Sequence, residues 1–216
     1  MTSSPKVFES IVRHYEECLK RHGDSYRGVD GSSQEGAEAS YDVMLGLLRN
    51  RPGERVSLLD VGCGLSHLLE RIHARGRDDI AYSGLDISDR FIERARAKFP
   101  TVQYYCGDIL DESFRIPQFD YVVMNGVLTE KVDLSFEAMW DYSQRLIERA
   151  FSIARVGLAF NFMSKQVEWE RDDLFHVPFD LVAAFVARRL SRHFVFRHDY
   201  GLYQYTTYVY RDSACA

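Results

Sequence analysis

Leu58-Leu59-Asp60-Val61-Gly62-Cys63-Gly64-Leu65-Ser66 is the stretch that decides how this chain folds. An apolar run from Val56 to Val61 has the composition of a buried strand, and it passes directly into Gly62-Cys63-Gly64. Beyond the glycines, Leu65, Leu68, Leu69 and Ile72 return at helical spacing. A strand that turns through glycines into a helix can bring its main chain against a ligand with no Cβ in the way, which implies a nucleotide-like ligand. The same glycines also serve simple strand-to-helix packing, so both readings stand until the neighbouring segments are read.

Those segments repeat the alternation. Ile80 to Leu85 reads as a second strand, followed by a helix carrying Phe91, Ile92, Ala95 and Phe99 and ended by Pro100. Val102 to Cys106 and Tyr121 to Met124 read as the third and fourth strands, and Phe136 to Ala154 carries one long apolar stripe at helical spacing. Gly157 to Met163 reads as a fifth strand, a last helix follows Pro178, and residues 194–198 and 203–210 read as two closing strands. Alternation of this kind specifies an α/β fold, a Rossmann-like, doubly wound, seven-stranded mixed sheet. Ahead of it, Phe8, Ile11, Val12, Tyr15, Cys18 and Leu19 mark an amphipathic helix over 7–22. Residues 23–36, with Gly23, Gly28, Gly31 and Gly36, read as a mobile connector, and a second helix spans Glu35 to Arg49. Residues 1–50 are accordingly expected to form a helical appendage or lid on a single unit over 51–216.

Composition narrows the function. In 216 residues, 46% are hydrophobic and 27% charged, as in a globular protein with a real core. Lys plus Arg (27) against Asp plus Glu (32) leaves a net charge of -5, without the attraction that drives binding to phosphate backbones, so no nucleic-acid partner is expected. Cys18, Cys63, Cys106 and Cys215 form no C-x-x-C pair and show no histidine at zinc-ligand spacing, which reads as reduced thiols in a cytoplasmic protein. Neither a signal-peptide pattern nor an apolar stretch suited to a membrane is expected.

Two further positions extend the ligand reading. Asp86 ends the second strand, where a carboxylate can accept hydrogen bonds from both hydroxyls of a ribose. It could instead cap the next helix, but Ser88 already supplies a cap, which leaves Asp86 for the ligand. After the third strand, Gly107-Asp108-Ile109 places a carboxylate to meet an exocyclic amine beside an apolar side chain for a flat ring; a solvated turn is the alternative.

With Gly84-Leu85-Asp86-Ile87-Ser88, Gly107-Asp108-Ile109 and Phe119-Asp120-Tyr121-Val122-Val123, the opening stretch resembles the successive motifs of class I S-adenosylmethionine-dependent methyltransferases over roughly residues 55–165. The resemblance implies S-adenosyl-L-methionine as cofactor, with S-adenosyl-L-homocysteine as product. It implies Asp60, Gly62, Cys63 and Gly64 as cofactor contacts, the two glycines beside the methionine part. Asp86 with Ile87 would meet the ribose, Asp108 with Ile109 the adenine, and Asn125 with Gly126 the methionine and sulfonium. Where a third glycine is common, this chain has Ser66, which speaks against a dinucleotide fingerprint. FNFMS at 160–164 and HDYGLYQYTTYVYR at 198–211 resemble small bacterial methyltransferases of biosynthetic clusters.

The acceptor is narrowed by what is missing. Asn125-Gly126-Val127-Leu128 lacks the Pro-Pro-aromatic pattern of base N-methylation, no Pro-Cys pair exists for cytosine chemistry, and Asn125 and Asn161 stand where a metal-dependent catechol site needs carboxylates. A small-molecule acceptor and no metal are expected. His176, in the insertion over 164–178, is the candidate general base, with a surface or capping histidine as the plain alternative. Tyr15, Arg27, Asn161, Tyr200 and Tyr203 are candidate acceptor contacts. Two rivals share the motifs: a nicotinamide-dependent oxidoreductase, and a catalytically idle S-adenosylmethionine-binding scaffold or regulatory protein.

Overall fold

The strands that read as most continuously apolar stand at the middle of the sheet. The computed structural model describes residues 8–31, 33–50 and 53–213. Its strands are β1 (Val56–Val61), β2 (Ile80–Asp86), β3 (Gln103–Cys106), β4 (Phe119–Met124), β5 (Ala154–Ser164), β6 (His176–Val177), β7 (His193–Arg197) and β8 (Gln204–Tyr210). Its helices are α1 (Glu9–His22), α2 (Gln34–Leu45), α3 (His67–Ala74), α4 (Asp89–Lys98), α5 (Phe136–Ile153) and α6 (Phe179–Arg189). The sheet runs β3-β2-β1-β4-β5-β8-β7, with β8 antiparallel to both of its neighbours and the other pairs parallel. Strand order therefore reverses between β1 and β4, which pair through Leu58↔Tyr121, and a crevice opens beyond their carboxyl ends.

Alternation along β1 builds the two layers. Leu59 and Val61 face a core with α5 and α6, whereas Leu58 faces one with α2, α3 and α4. Serine caps set several helix starts: Ser33, Ser88 and Ser135 accept from the amides of Gly36, Phe91 and Ala138.

Three details depart from the sequence reading. First, β6 joins the seven expected strands, pairing parallel to β5 through Met163↔His176 and Ser164↔Val177. β4 stops pairing at Met124↔Phe160, so β5 outruns it and leaves an edge for a strand too short to show any alternation. Second, the expected mobile connector is ordered into a 3-10 turn at Tyr26–Val29, where Ser25 accepts from the Gly28 amide. Gly28 is there for close approach, since a Cβ on it would lie 2.0 Å from the Gly23 carbonyl oxygen. Third, α2 shares a core with the sheet across residue 50. Met44 and Leu47 are fully buried, and the hydroxyls of Tyr208 and Tyr210 donate to the carbonyls of Val43 and Leu47. Cys18, Cys63 and Cys106 are free thiols; Cys215 lies outside the described residues. No helix among the described residues is long and apolar enough to cross a membrane.

Candidate functional site

The crevice at the β1/β4 reversal is a cleft of about 560 Å³. The turn after β1 enters it because Gly62 has φ +73 and a Cβ there would stand 2.4 Å from Val127 Cγ2. Ser66, which replaces a third glycine, takes the same left-handed region at φ 60 and is held by a 2.8 Å hydrogen bond between its hydroxyl and that of Tyr104.

Asp60, Gly62, Cys63, Gly64, Asp86, Ile87, Asn125 and Gly126 all line the cleft. So do Tyr15, Asn161, His176 and Tyr203. The other four sequence candidates lie elsewhere. Ile109 is buried in the core, and Asp108 turns back to accept from the Leu110 amide at 2.9 Å. Arg27 is exposed and donates to the Tyr26 hydroxyl, while the Tyr200 hydroxyl is 3.0 Å from that of Thr206. Each meets a local polar partner or core packing that its place in the sequence does not reveal.

Asp86 is not left free as its neighbour's capping role suggested. Its Oδ2 accepts from the Gly64 amide and its Oδ1 from the Ser88 amide, both at 2.9 Å. These bonds hold the carboxylate rigid between two turns, and each oxygen keeps a second lone-pair direction for a ligand hydroxyl. Ser88 meanwhile donates to Glu16 of α1 at 2.7 Å. Burial pushes the carboxyl of Asp86 up, and that of Asp60 up to about 7 despite a 2.8 Å bond from the Tyr82 hydroxyl.

The opposite wall is a ring of polar side chains. Ser40 of α2 donates to Asn125 Oδ1 at 2.6 Å and accepts from Gln204 Nε2 at 2.8 Å. Asn161 Nδ2 reaches Gln204 Oε1 at 3.0 Å and Asn125 Oδ1 at 3.3 Å, and Asn161 Oδ1 accepts from the Gly126 amide at 2.8 Å. The Gly126 carbonyl accepts from Tyr15 and Thr129 at 3.0 and 2.9 Å, which ties α1 over the cleft. Trp169 and Tyr203 stand at the rim, each 67% exposed.

His176 and Glu130 are two further ionisable side chains of the cleft. His176 Nδ1 lies 2.6 Å from the Ser164 carbonyl and therefore carries the proton, leaving the lone pair on Nε2, which is buried with no partner. A ligand reaches that atom only if the ring turns. Glu130 lines the cleft, is 7% exposed, and burial pushes it up to about 7, with nearby Asp30 adding to the rise. Sequence reasoning passed over Glu130, Gln204 and Trp169; only Ser40 carried a signal, a polar residue on the apolar face of α2. It also passed over His14 and Cys18, one helical turn apart: His14 Nε2, Cys18 Sγ and an Asp30 carboxylate oxygen lie within 4.8 Å of one another, a set of metal-ligating types. The His14 nitrogen is already 2.9 Å from Asp30.

Residues 58–157 match the family model of the methyltransferase domain. Rv1506c of Mycobacterium tuberculosis, which carries a provisional methyltransferase name, is 27% identical over 164 residues, covering 73% of this chain and 94% of that one. A dTDP-4-amino-2,3,4,6-tetradeoxy-D-glucose N,N-dimethyltransferase of Saccharopolyspora spinosa is 34% identical over 101 residues, 47% of this chain and 39% of its own length. The crystal structure of magnesium protoporphyrin IX methyltransferase from Synechocystis PCC 6803 with bound S-adenosylmethionine shares the fold at TM-score 0.67 and 16% identity, covering 98% of this chain and 100% of that one.

Proposed function

We infer that the chain is a class I S-adenosylmethionine-dependent methyltransferase, and from that premise we propose that it methylates an oxygen or nitrogen atom of a small biosynthetic metabolite, a sugar or other natural product. The observation that carries the acceptor's size is the covered cleft of about 560 Å³, roofed by α1 through Tyr15 and rimmed by Trp169 and Tyr203. A roofed cleft admits a small molecule beside the cofactor and excludes a duplex or a folded protein. The sugar N,N-dimethyltransferase among its relatives supports the same class.

The cofactor fits the residues present. A cradle that a Cβ at Gly62 would fill takes the methionine part, and the outward lone pairs of Asp86 take the ribose hydroxyls. When bound, S-adenosylmethionine supplies a methyl group on a good leaving group, so alignment is the main task left to the protein, worth up to ~7–11 kcal/mol in principle. Burial pushes the carboxyls of Asp60 and Asp86 toward their neutral forms, and a cationic ligand beside them draws them back to the charged form, so such a ligand is favoured over a neutral one. The polar ring of Ser40, Asn125, Asn161 and Gln204 fixes the far wall, and α1 excludes water. We assign His176 a proton-accepting role only with its ring turned toward the cleft.

Calorimetric titration with S-adenosylmethionine, S-adenosylhomocysteine and NAD tests the reading. Both adenosyl ligands are expected to bind and NAD is not; the reverse preference would sink it. Cofactor binding with no methyl transferred across a broad acceptor panel, read by mass spectrometry, would point to the idle scaffold instead.

A further inference from the structure

We propose that Glu130 is the acceptor-binding carboxylate of this cleft and that the acceptor it selects is a primary or secondary amine. The inference rests on the methyltransferase reading and names the substrate class of that same site. Glu130 follows β4, its backbone bridged to Leu174 and its neighbours Lys131 and Val132 donating to the Asp173 carbonyl at 2.9 Å. The side chain is 7% exposed and lines the cleft, yet it makes no hydrogen bond or ion pair with any described residue. His176 Nε2 and Thr207 Oγ1 are the side-chain atoms that lie wholly buried without a partner among the described residues, so the carboxylate of Glu130 keeps surface open to the cleft.

A largely buried carboxylate without a protein donor is costly, and a ligand that supplies the donor from the cleft is favoured there. The groups facing it decide which donor. From α1 come Tyr15, whose hydroxyl is spent on the Gly126 carbonyl, and His14, paired with Asp30. Asp30 itself ends the 3-10 turn, and the loop before β6 supplies Arg171, whose guanidinium is taken by Asp173. With Arg171 held by Asp173 and His14 held by Asp30, the two facing carboxyls Glu130 and Asp30 favour an ammonium group over a neutral hydroxyl. Proton affinities agree. Amines near pKa ~8–10 can hand a proton to a carboxyl whose own pKa is about 7, whereas an alcohol is far too weak an acid to do so.

The ammonium gives one proton to Glu130, which frees the nitrogen lone pair. That pair forms the N–CH3 bond as the C–S bond of the sulfonium breaks, the bond electrons staying on sulfur. Glu130 releases its proton to water when the methylated ammonium departs.

The test uses the full chain saturated with S-adenosylhomocysteine, titrated by calorimetry with pairs differing in one group. The pairs are 4-amino-4,6-dideoxy-D-glucose against 6-deoxy-D-glucose, each free and nucleotide-linked, and tyramine against tyrosol. At least one amine is expected to bind tenfold or more tighter than its hydroxyl twin, and Glu130→Gln is expected to erase that preference. The variant should bind S-adenosylhomocysteine within about twofold of the parent. For a methylated amine, Glu130→Gln should lower kcat/KM by about 10²–10⁴-fold and remove its acid limb near pH 7. No preferred amine in any pair overturns the inference while leaving the function standing. Weakened S-adenosylhomocysteine binding in Glu130→Gln also overturns it, because Glu130 would then serve the cofactor's own amino group. Failure of the parent to bind S-adenosylhomocysteine overturns the methyltransferase function itself.

Discussion

The two ends of the cleft are built on different plans. Beside β1 and β2, backbone makes the site: glycine turns, amides pointing at Asp86, and a carboxylate held by its near neighbours. Beside β4 and β5, side chains make it, and they come from α1, α2, β5, β8 and the segment after β4. The first plan suits a ligand shared by many enzymes, since main-chain geometry does not vary with side-chain choice. The second can change with every acceptor, because each of its bonds is one substitution from being lost.

The largest expected effect lies at the first end. Asp86→Ala removes a carboxylate proposed to accept two ribose hydroxyls, at on the order of 1.5–3 kcal/mol per charge-assisted bond. Calorimetry should show affinity for S-adenosylmethionine falling by about 10²–10⁴-fold. Unchanged affinity would take Asp86 out of the site and dissolve the contrast between the two ends.

At the second end, Glu130 links function to stability. Its carboxyl is raised from the ordinary 4.5 to about 7 by burial, so the unfolded chain ionises first as pH rises. The folded state then suffers a penalty that is absent below about pH 4.5 and complete above about pH 7, reaching up to about 3 kcal/mol. Glu130→Gln removes that penalty. Denaturation midpoints should therefore rise in the variant at pH 8 and match the parent at pH 4; a variant less stable at pH 8 would mean that Glu130 has a structural partner.

A smaller loss is expected from Asn161→Ala, which strips acceptors or donors from Gly126, Asn125 and Gln204 at once. Leaving buried polar groups unpaired costs about 1–3 kcal/mol, seen as a lower thermal midpoint. Acceptor affinity should fall more than cofactor affinity if the ring belongs to the acceptor wall, and equal losses would erase that division.

The same contrast explains what could be read in the chain. Strand–glycine–helix and strand–carboxylate patterns are local, so Gly62, Gly64 and Asp86 announce themselves within a few residues of each other. The doubly wound α/β class follows from the same alternation. Glu130 carries no comparable mark: a charged residue after a strand is ordinary until the fold packs α1 and the 164–178 loop around it. Ser40 and Gln204 likewise gain meaning only from partners far along the chain. Asp108, Ile109, Arg27 and Tyr200 stand outside the cleft lining, because position near a strand end or in a connector says nothing about the local partner a side chain meets. His176 falls between: it lines the cleft, while its Nε2 is buried and has no partner among the described residues.

The smallest effect concerns the roof that joins the two ends. Residues 7–36 are proposed to act as a lid that tightens on ligand binding. α1 is fastened at three places: Ile11 in the core, Tyr15 on the Gly126 carbonyl at 3.0 Å, and Glu16 on Ser88 at 2.7 Å and Arg90 at 3.1 Å. Tyr15→Phe removes one of these bonds and leaves the Gly126 carbonyl its second donor, Thr129. The net worth of such a bond is about 0.5–1.5 kcal/mol, so amide exchange across α1 should speed up by roughly 2–13-fold while the sheet is unaffected. S-adenosylhomocysteine should slow exchange over the described part of the lid in the parent, and less so in the variant. If the ligand leaves α1 exchange unchanged in both, the helix is a fixed wall of the cleft, and the acceptor end is as rigid as the cofactor end.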